Sequence, residues 1–235
     1  MQRSSDISII RADERHTRDF GWLRTSWLFS FDDYRDPNNV SFGVLRVFND
    51  DLIAPGKGFP DHRHSEKEIV TYVLEGELTH EDSAGHKGVV RDGEVQRMTA
   101  GRGVVHSEFN RGNVPVHLYQ IWFHPREEGL EPSYEKMMFP HSDREDRLQP
   151  LASGLGAGGV EMSADATLYA CSLSKGSRVA VEGGPRRVFV YMTEGRALVN
   201  GIRLERNDQA RVVGDVAILG EEDSELVVID MPEMQ

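Results

Sequence analysis

The sequence predicts an all-β protein made of two related sandwich or barrel domains. Three observations carry this. Short runs rich in Val, Ile, Leu, Tyr and Phe recur between turn-forming Gly, Asn and Asp residues, as in chains of many short strands. Tyr72-Val73-Leu74-Glu75-Gly76 is answered by Tyr191-Met192-Thr193-Glu194-Gly195, and the turn Arg91-Asp92-Gly93-Glu94-Val95 more loosely by Arg206-Asn207-Asp208-Gln209-Ala210; such self-similarity marks a duplicated unit. Between these copies, Pro132, Pro140, Pro150, Gly154, Gly156, Gly158 and Gly159 interrupt a stretch without sustained apolar period, the texture of a connector. The expected division is residues 1–126, a connector over 127–165, and residues 166–235.

Taken in order, the first clear strand is Val44-Leu45-Arg46-Val47-Phe48, entered from Gly43. Ile69-Val70-Thr71-Tyr72-Val73-Leu74 and Val116-His117-Leu118-Tyr119-Gln120-Ile121-Trp122-Phe123 are stronger runs in the first half. Val188-Phe189-Val190-Tyr191-Met192 and Leu226-Val227-Val228-Ile229 play the same part in the second. All are rich in the β-branched and aromatic residues that suit a pleated, half-buried surface.

Composition narrows the function. The chain has 235 residues, 38% hydrophobic and 28% charged, enough for a real core and too balanced for disorder. A formal net charge of −12 argues against a general nucleic-acid or anionic-membrane surface, since both reward an excess of Lys and Arg. A small molecule or a protein partner is the better expectation, with the protein a monomer. Cys171 is the sole cysteine, so no internal disulfide forms, and its apolar neighbours fit a buried thiol. Met1-Gln2-Arg3-Ser4-Ser5-Asp6 lacks the apolar stretch of a signal peptide, and no run approaches the ~20 apolar residues that span a membrane. A cytoplasmic location is expected.

Chemistry concentrates in two short patterns, His62-Arg63-His64 and His106-Ser107-Glu108. A strand turns alternate side chains to one face, so each i, i+2 pair points both members the same way, and three imidazoles with one carboxylate could converge on a metal. All nine histidines, from His16 to His141, precede the second copy, so only the first half could hold an imidazole-bound ion. Imidazole with carboxylate suits Fe, Zn, Cu, Ni or Mn rather than Ca or Mg. Glu66 and Glu68 share the parity of His62 and His64 and are alternative carboxylates. On an extended strand Glu68 would lie ~13 Å from His64 at ~3.3 Å per residue, too far for one ion; a neighbouring strand with His106 and Glu108 closes the set better. Gly101-Arg102-Gly103 before His106 would let the backbone turn tightly near the site.

Gly58-Phe59-Pro60-Asp61-His62-Arg63-His64, Glu68 to Gly76, His80-Glu81-Asp82 and Met98 to Glu108 together resemble the pirin family of bicupins, particularly bacterial members with quercetin dioxygenase activity. The resemblance spans nearly the whole chain. It implies two cupin (jelly-roll) β-barrel domains face to face as a bicupin, with one mononuclear metal in the N-terminal domain and none in the C-terminal one. Its ligand motif falls on His62, His64, His106 and Glu108, whereas the general cupin pattern would take its carboxylate at Glu68 and end on an asparagine, here Asn110. It implies a divalent transition metal, Fe(II) foremost, with Zn, Ni, Cu, Mn and Co as alternatives. The implied activity is opening of the flavonol ring of quercetin-like substrates with O₂, releasing carbon monoxide and a depside, with Glu108 as ligand and as acceptor of the flavonol proton. The family also implies, for some members, a non-enzymatic metal-binding regulator acting through protein partners; a cupin isomerase or hydrolase is a third alternative.

Phe59, Met98, Tyr119 and Trp122 are candidate walls for a flat aromatic ligand. Arg102 could meet an anionic substrate. His80, with Glu81 and Asp82, is expected to cap a hairpin or surface loop, with a supporting role behind the ligands as the alternative, and His117 on its strand carries a similar weak expectation. Asn110 is expected in a turn.

Overall fold

A computed structural model describes residues 6–234; Met1 to Ser5, part of the N-terminal stretch considered above, and Gln235 lie outside them. The first part of the chain carries β1 (Asp6–Ile10), β2 (His16–Asp19), β3 (Leu23–Trp27), β4 (Leu45–Ile53), β5 (Gly58–His64), β6 (Glu68–Glu75), β7 (Glu77–Asp82), β8 (Lys87–Arg91), β9 (Glu94–Thr99), β10 (Val104–Phe109), β11 (Val116–Phe123) and β12 (Ser133–Met138). The rest carries β13 (Gln149–Ser153), β14 (Val160–Glu161), β15 (Thr167–Leu173), β16 (Arg178–Val181), β17 (Arg187–Glu194), β18 (Arg196–Val199), β19 (Ile202–Glu205), β20 (Gln209–Val213), β21 (Val216–Gly220) and β22 (Ser224–Met231). Among the described residues the only helical segments are two single 3₁₀ turns, Ala12–Glu14 and His141–Arg144. None of the described helices is long and apolar enough to cross a membrane.

The duplication is visible strand by strand. A seven-stranded sheet ordered β12-β9-β6-β11-β4-β3-β2 faces a four-stranded sheet ordered β5-β10-β7-β8, and the second half repeats this as β1-β20-β17-β22-β15-β13-β14 over β16-β21-β18-β19. Each half is thus a two-sheet jelly roll rather than a closed ring of strands, and together they form the expected all-β pair of related domains. The repeated Glu-Gly turns fall at equivalent places, after β6 and β17, where Gly76 and Gly195 both take a left-handed φ, 80° and 79°.

The strand partners do not follow chain order. β1 pairs with β20 in the second half's sheet, occupying the edge that β12 fills beside β9 in the first. The stretch 127–165 carries the edge strands β12 and β14 and, between β15 and β14, the strand β13, so its prolines and glycines punctuate short strands. Pro150, inside β13, is tolerated because it lies outside the two residues paired with β14 and at the register shift against β15.

The two large sheets pack back to back. Phe48, Tyr119 and Ile121 from one meet Phe189, Tyr191 and Ile229 from the other in a single buried cluster. The Phe48 ring lies 5.4 Å from Phe189 and 5.0 Å from Tyr191, and Tyr119 stands edge-on to Tyr191 at 5.5 Å. Strand alternation explains β11: Tyr119, Ile121 and Phe123 join this inter-domain core, while Val116 and Leu118 face the interior of the first jelly roll. At the seam, Tyr191 donates its hydroxyl to Asp50 Oδ2 at 2.8 Å, and His117 Nε2 lies 2.7 Å from Asp50 Oδ1. Burial would raise the Asp50 carboxyl, but the hydrogen bonds and charges of His117, Tyr191 and Arg15 outweigh it and hold the group below its ordinary value.

Candidate metal centre

β5 and β10 are hydrogen-bonded neighbours, and their register sets His106 directly across from His62 and Val104 across from His64. The register then slips: Glu108 pairs with Phe59, so β5 carries one extra residue at Pro60-Asp61. Such a bulge bends its strand and re-aims the side chains that follow. The result brings His62, His64 and His106 together, with a nitrogen of each within 4.8 Å of the others. β10 is fed by the turn at Gly101, where a left-handed φ of 46° and the collision a Cβ would make with the Leu130 carbonyl oxygen leave room for glycine alone.

The protonation pattern suits metal binding. Burial, then the neighbouring His106 and His62, lowers His64 to about 4. Burial, then His62 and His80, lowers His106 to about 3. Both are therefore neutral imidazoles at neutral pH, the form that ligates. His62 Nδ1 sits 2.8 Å from the Pro60 carbonyl, which can only accept, so the proton is on Nδ1 and the Nε2 lone pair is free. His106 Nε2 is buried with no hydrogen-bond partner. A buried, unpaired ring nitrogen among two other imidazoles is the observation that fits this centre to a divalent transition metal.

Glu108 is 2% exposed and groups with His106 and His80. Gln96 donates to its Oε1 and Gln120 to its Oε2, each at 2.7 Å. Thr71 accepts from Gln96 at 3.1 Å and donates to Gln120 Oε1 at 2.9 Å, which fixes both amides in the donating orientation. Two donors leave the carboxylate with lone pairs to spare for a cation.

Behind His106 lies a second line of groups. His106 Nδ1 is 3.5 Å from His80 Nδ1, and His80 Nε2 is 3.1 Å from Asp82 Oδ2. With Nε2 of His106 kept for a metal, its Nδ1 donates to His80, and His80 in turn donates to Asp82. His80 is fully buried in β7 rather than capping a loop, and Tyr134 stacks on it at 4.8 Å. The hairpin expectation fails because His80 alternates with Glu81 and points into the jelly roll.

The alternative carboxylates lie elsewhere. Glu68 Oε2 accepts from Thr99 Oγ1 at 3.1 Å and from the Ser163 backbone at 3.0 Å, facing the chain that leads into the second half. Glu66 sits in a left-handed turn and reaches the Gly129 amide at 3.2 Å. Arg102 is exposed and paired with Glu131. Asn110 does hold a turn, donating to the Ile53 and Val114 carbonyls at 3.0 and 2.8 Å.

His62, His64, His106 and Glu108 open onto one cavity of about 680 Å³. Phe59 and Trp122 line it as expected, with Phe20, Trp22, Trp27 and Phe31 added from the N-terminal segment. Tyr119 does not, because it points to the inter-domain core, and Met98 packs with Ile69, Ala100 and Val104 instead. A second polar group, missed from the sequence, lines the same cavity: Thr25, Asn49 and Asp51 on β3 and β4. Burial pushes the Asp51 carboxyl up to about 7, with Asp50 and Glu108 adding to the rise. At the places equivalent to β5 and β10, the second half has Val179, Val181, Val216 and Ile218, and its interior is packed with apolar side chains.

Comparison with known proteins agrees with this architecture. The Pirin family model matches residues 10–123 and the Quercetinase C-terminal cupin domain model residues 151–231. A Pirin-like protein of Caulobacter vibrioides is 40% identical over 217 residues, covering 90% of this chain and 94% of that protein. The Quercetin 2,3-dioxygenase of Escherichia coli (strain K12) is 37% identical over 230 residues, covering 96% and 99%. The crystal structure of the bacterial pirin YhhW from Escherichia coli in complex with nickel(II) superimposes with a TM-score of 0.91 at 36% identity, covering 97% of this chain and all of that one. With relatives of that identity and coverage joined to a shared two-jelly-roll architecture, the chain belongs to the pirin family of bicupins.

Proposed function

We propose that this protein is a metal-dependent dioxygenase that opens the flavonol ring of quercetin-like substrates with O₂. His62, His64, His106 and Glu108 hold one divalent transition metal, Fe(II) foremost, with Zn, Ni, Cu, Mn and Co as alternatives. The single observation that carries this is the meeting of the His62, His64 and His106 imidazoles, with Glu108 beside His106, on an aromatic-lined cavity of about 680 Å³. The relatives named for quercetin dioxygenase activity support it.

Bound there, a transition metal supplies Lewis acidity and open positions suited to adjacent hydroxyl and carbonyl oxygens. The chain's own residues do the rest. Trp22, Trp27, Phe31, Phe59 and Trp122 give a flat apolar slot that excludes water and orients a planar ring. Glu108 takes the proton of the flavonol hydroxyl, and the Gln96 and Gln120 amides stabilise its charged form until it does. His62 and His106 keep their Nδ1 protons engaged with Pro60 and His80, so their Nε2 atoms stay directed at the centre.

Parallel incubations with quercetin, with and without oxygen, test the activity. Oxygen-dependent loss of flavonol absorbance that disappears in His62→Ala supports it. No reaction with any of the reconstituted metals overturns it and favours a metal-binding regulator. Glu108→Gln at full metal occupancy isolates the proton-accepting role: a fall of about 10²–10⁴-fold in turnover is expected for a lost general base, and unchanged turnover removes it.

A further inference from the structure

The polar atoms of the cavity do not all belong to the metal centre. The Thr71 hydroxyl, the Gln120 side chain and the Gln96 amide nitrogen are accounted for by Glu108 and one another, while Gln96 Oε1 is buried without a partner. On β3 and β4 of the same sheet, Trp27 lies across from Asn49 and Thr25 across from Asp51. Asn49 and Asp51, two residues apart, therefore share the face that lines the cavity. They are 4% and 3% exposed, and Asn49 Oδ1 and Asp51 Oδ1 are both buried without a close hydrogen-bond partner; the Thr25 hydroxyl, buried and likewise unpaired, lies across from Asp51 and partly offsets the rise of its carboxyl.

An unpaired buried acceptor is costly to a fold that gains nothing from it. Two on neighbouring inward positions of β4, beside Thr25 in a wall otherwise lined by Trp22, Leu23 and Trp27, are a pair of sockets for hydrogen-bond donors. Their chemistry excludes an anionic group, because acceptors beside Glu108 and Asp50 repel it. We propose that Asn49 and Asp51 form a recognition site for a phenolic hydroxyl group of the substrate, so that the cavity selects hydroxylated aromatic ligands over bare ones. This rests on the flavonol reading of the same cavity and specifies which flavonols it prefers. The Asp51 carboxyl, raised to about 7 by burial, meets a hydroxyl as acceptor or as donor, so recognition does not depend on its charge.

Binding without turnover tests this. The metal-loaded protein is titrated in the absence of oxygen with 3-hydroxyflavone and with quercetin, which adds ring hydroxyls to the same skeleton. The wild type is expected to bind quercetin about tenfold or more tightly than 3-hydroxyflavone, the scale of a site left unpaired by the bare ligand. In Asp51→Leu, and separately in Asn49→Leu, that ratio is expected to fall to within about twofold. A wild type with no preference overturns the inference without recourse to any variant, as does a preference that survives both substitutions. Protein that keeps the preference yet consumes no oxygen with quercetin overturns the dioxygenase reading alone. Protein that turns quercetin over but binds both flavonols alike overturns the recognition site alone, and failure to bind either ligand overturns both.

Discussion

The side-chain amide of Gln120 donates to Oε2 of Glu108 at 2.7 Å and so fixes the direction of the carboxylate beside His106. β11 supplies this amide from the large sheet while β10 supplies the carboxylate from the small one, so the contact ties the two layers of the jelly roll at the candidate metal centre.

Gln120→Leu keeps the volume and removes the donor. It leaves Glu108 Oε2 unpaired and frees Thr71 from its acceptor, at a cost of about 1–3 kcal/mol for the stranded group. Metal affinity is expected to fall about 10–100-fold, as for other outer partners of ligands, measured by competition with a chromophoric chelator. An unchanged affinity would show that Glu108 needs no such support.

His80 and Asp82 set the proton on His106. Asp82→Asn turns the end of that line from acceptor only into a mixed donor and acceptor, so His80 no longer has a fixed tautomer to offer His106. A loss of about 10–100-fold in metal affinity with an unchanged circular dichroism spectrum is expected. Loss of folding without a specific metal effect would instead assign the pair to packing.

Asp51 gives a pH signature. Its folded value of about 7 lies above the ordinary 3.8. A raised value means that the folded state holds a proton the unfolded chain releases, so the associated stability is complete below about 3.8 and is lost as the pH climbs through 7. Asparagine has no proton to lose. The melting temperature of metal-free Asp51→Asn, minus that of metal-free wild type, is therefore expected to become more positive from about pH 4 to about pH 8. A difference that does not move with pH would contradict the raised value.

Phe189 joins the two halves. Phe189→Ala opens the back-to-back core against Phe48 and Phe29, and such a truncation costs about 3–5 kcal/mol. At about 2–4 °C per kcal/mol for a chain of this size, the melting temperature should fall by about 6–20 °C. A single shifted transition is expected in calorimetry, with metal stoichiometry retained after loading. Two separate transitions in the wild type would show that the halves unfold independently.

Much of this site is legible as sequence because strand alternation is local. His62 and His64, or His106 and Glu108, declare a shared face by spacing alone. The duplicated Tyr-x-x-Glu-Gly strings mark β6 and β17, which occupy equivalent places in their sheets. What escapes is set by distance along the chain. Asn49 and Asp51 belong to the cavity only because β4 lies across the jelly roll from β5, and a hydrophobic run with polar interruptions does not reveal which face is inward. Tyr119 and Trp122 looked alike as aromatic wall residues, yet their positions on β11 send one to the inter-domain core and the other to the cavity. His80 resembled a loop residue because its acidic neighbours suggest solvent; Asp82 is in fact held by His80 and His86.

The placement of β1 has a consequence for how the chain matures. Its partners span Gln209 to Val213, about two hundred positions later. A ribosome therefore delivers this strand about two hundred residues ahead of its mate, and throughout that interval it must stay unattached or lodge somewhere temporary. The edge of the second large sheet is closed only when β20 meets a strand made long before it. Sequence separations of that size slow folding by requiring closure of the whole intervening loop, and a bulky N-terminal fusion or a clipped leading strand would strike the far half of the molecule while leaving the histidines untouched.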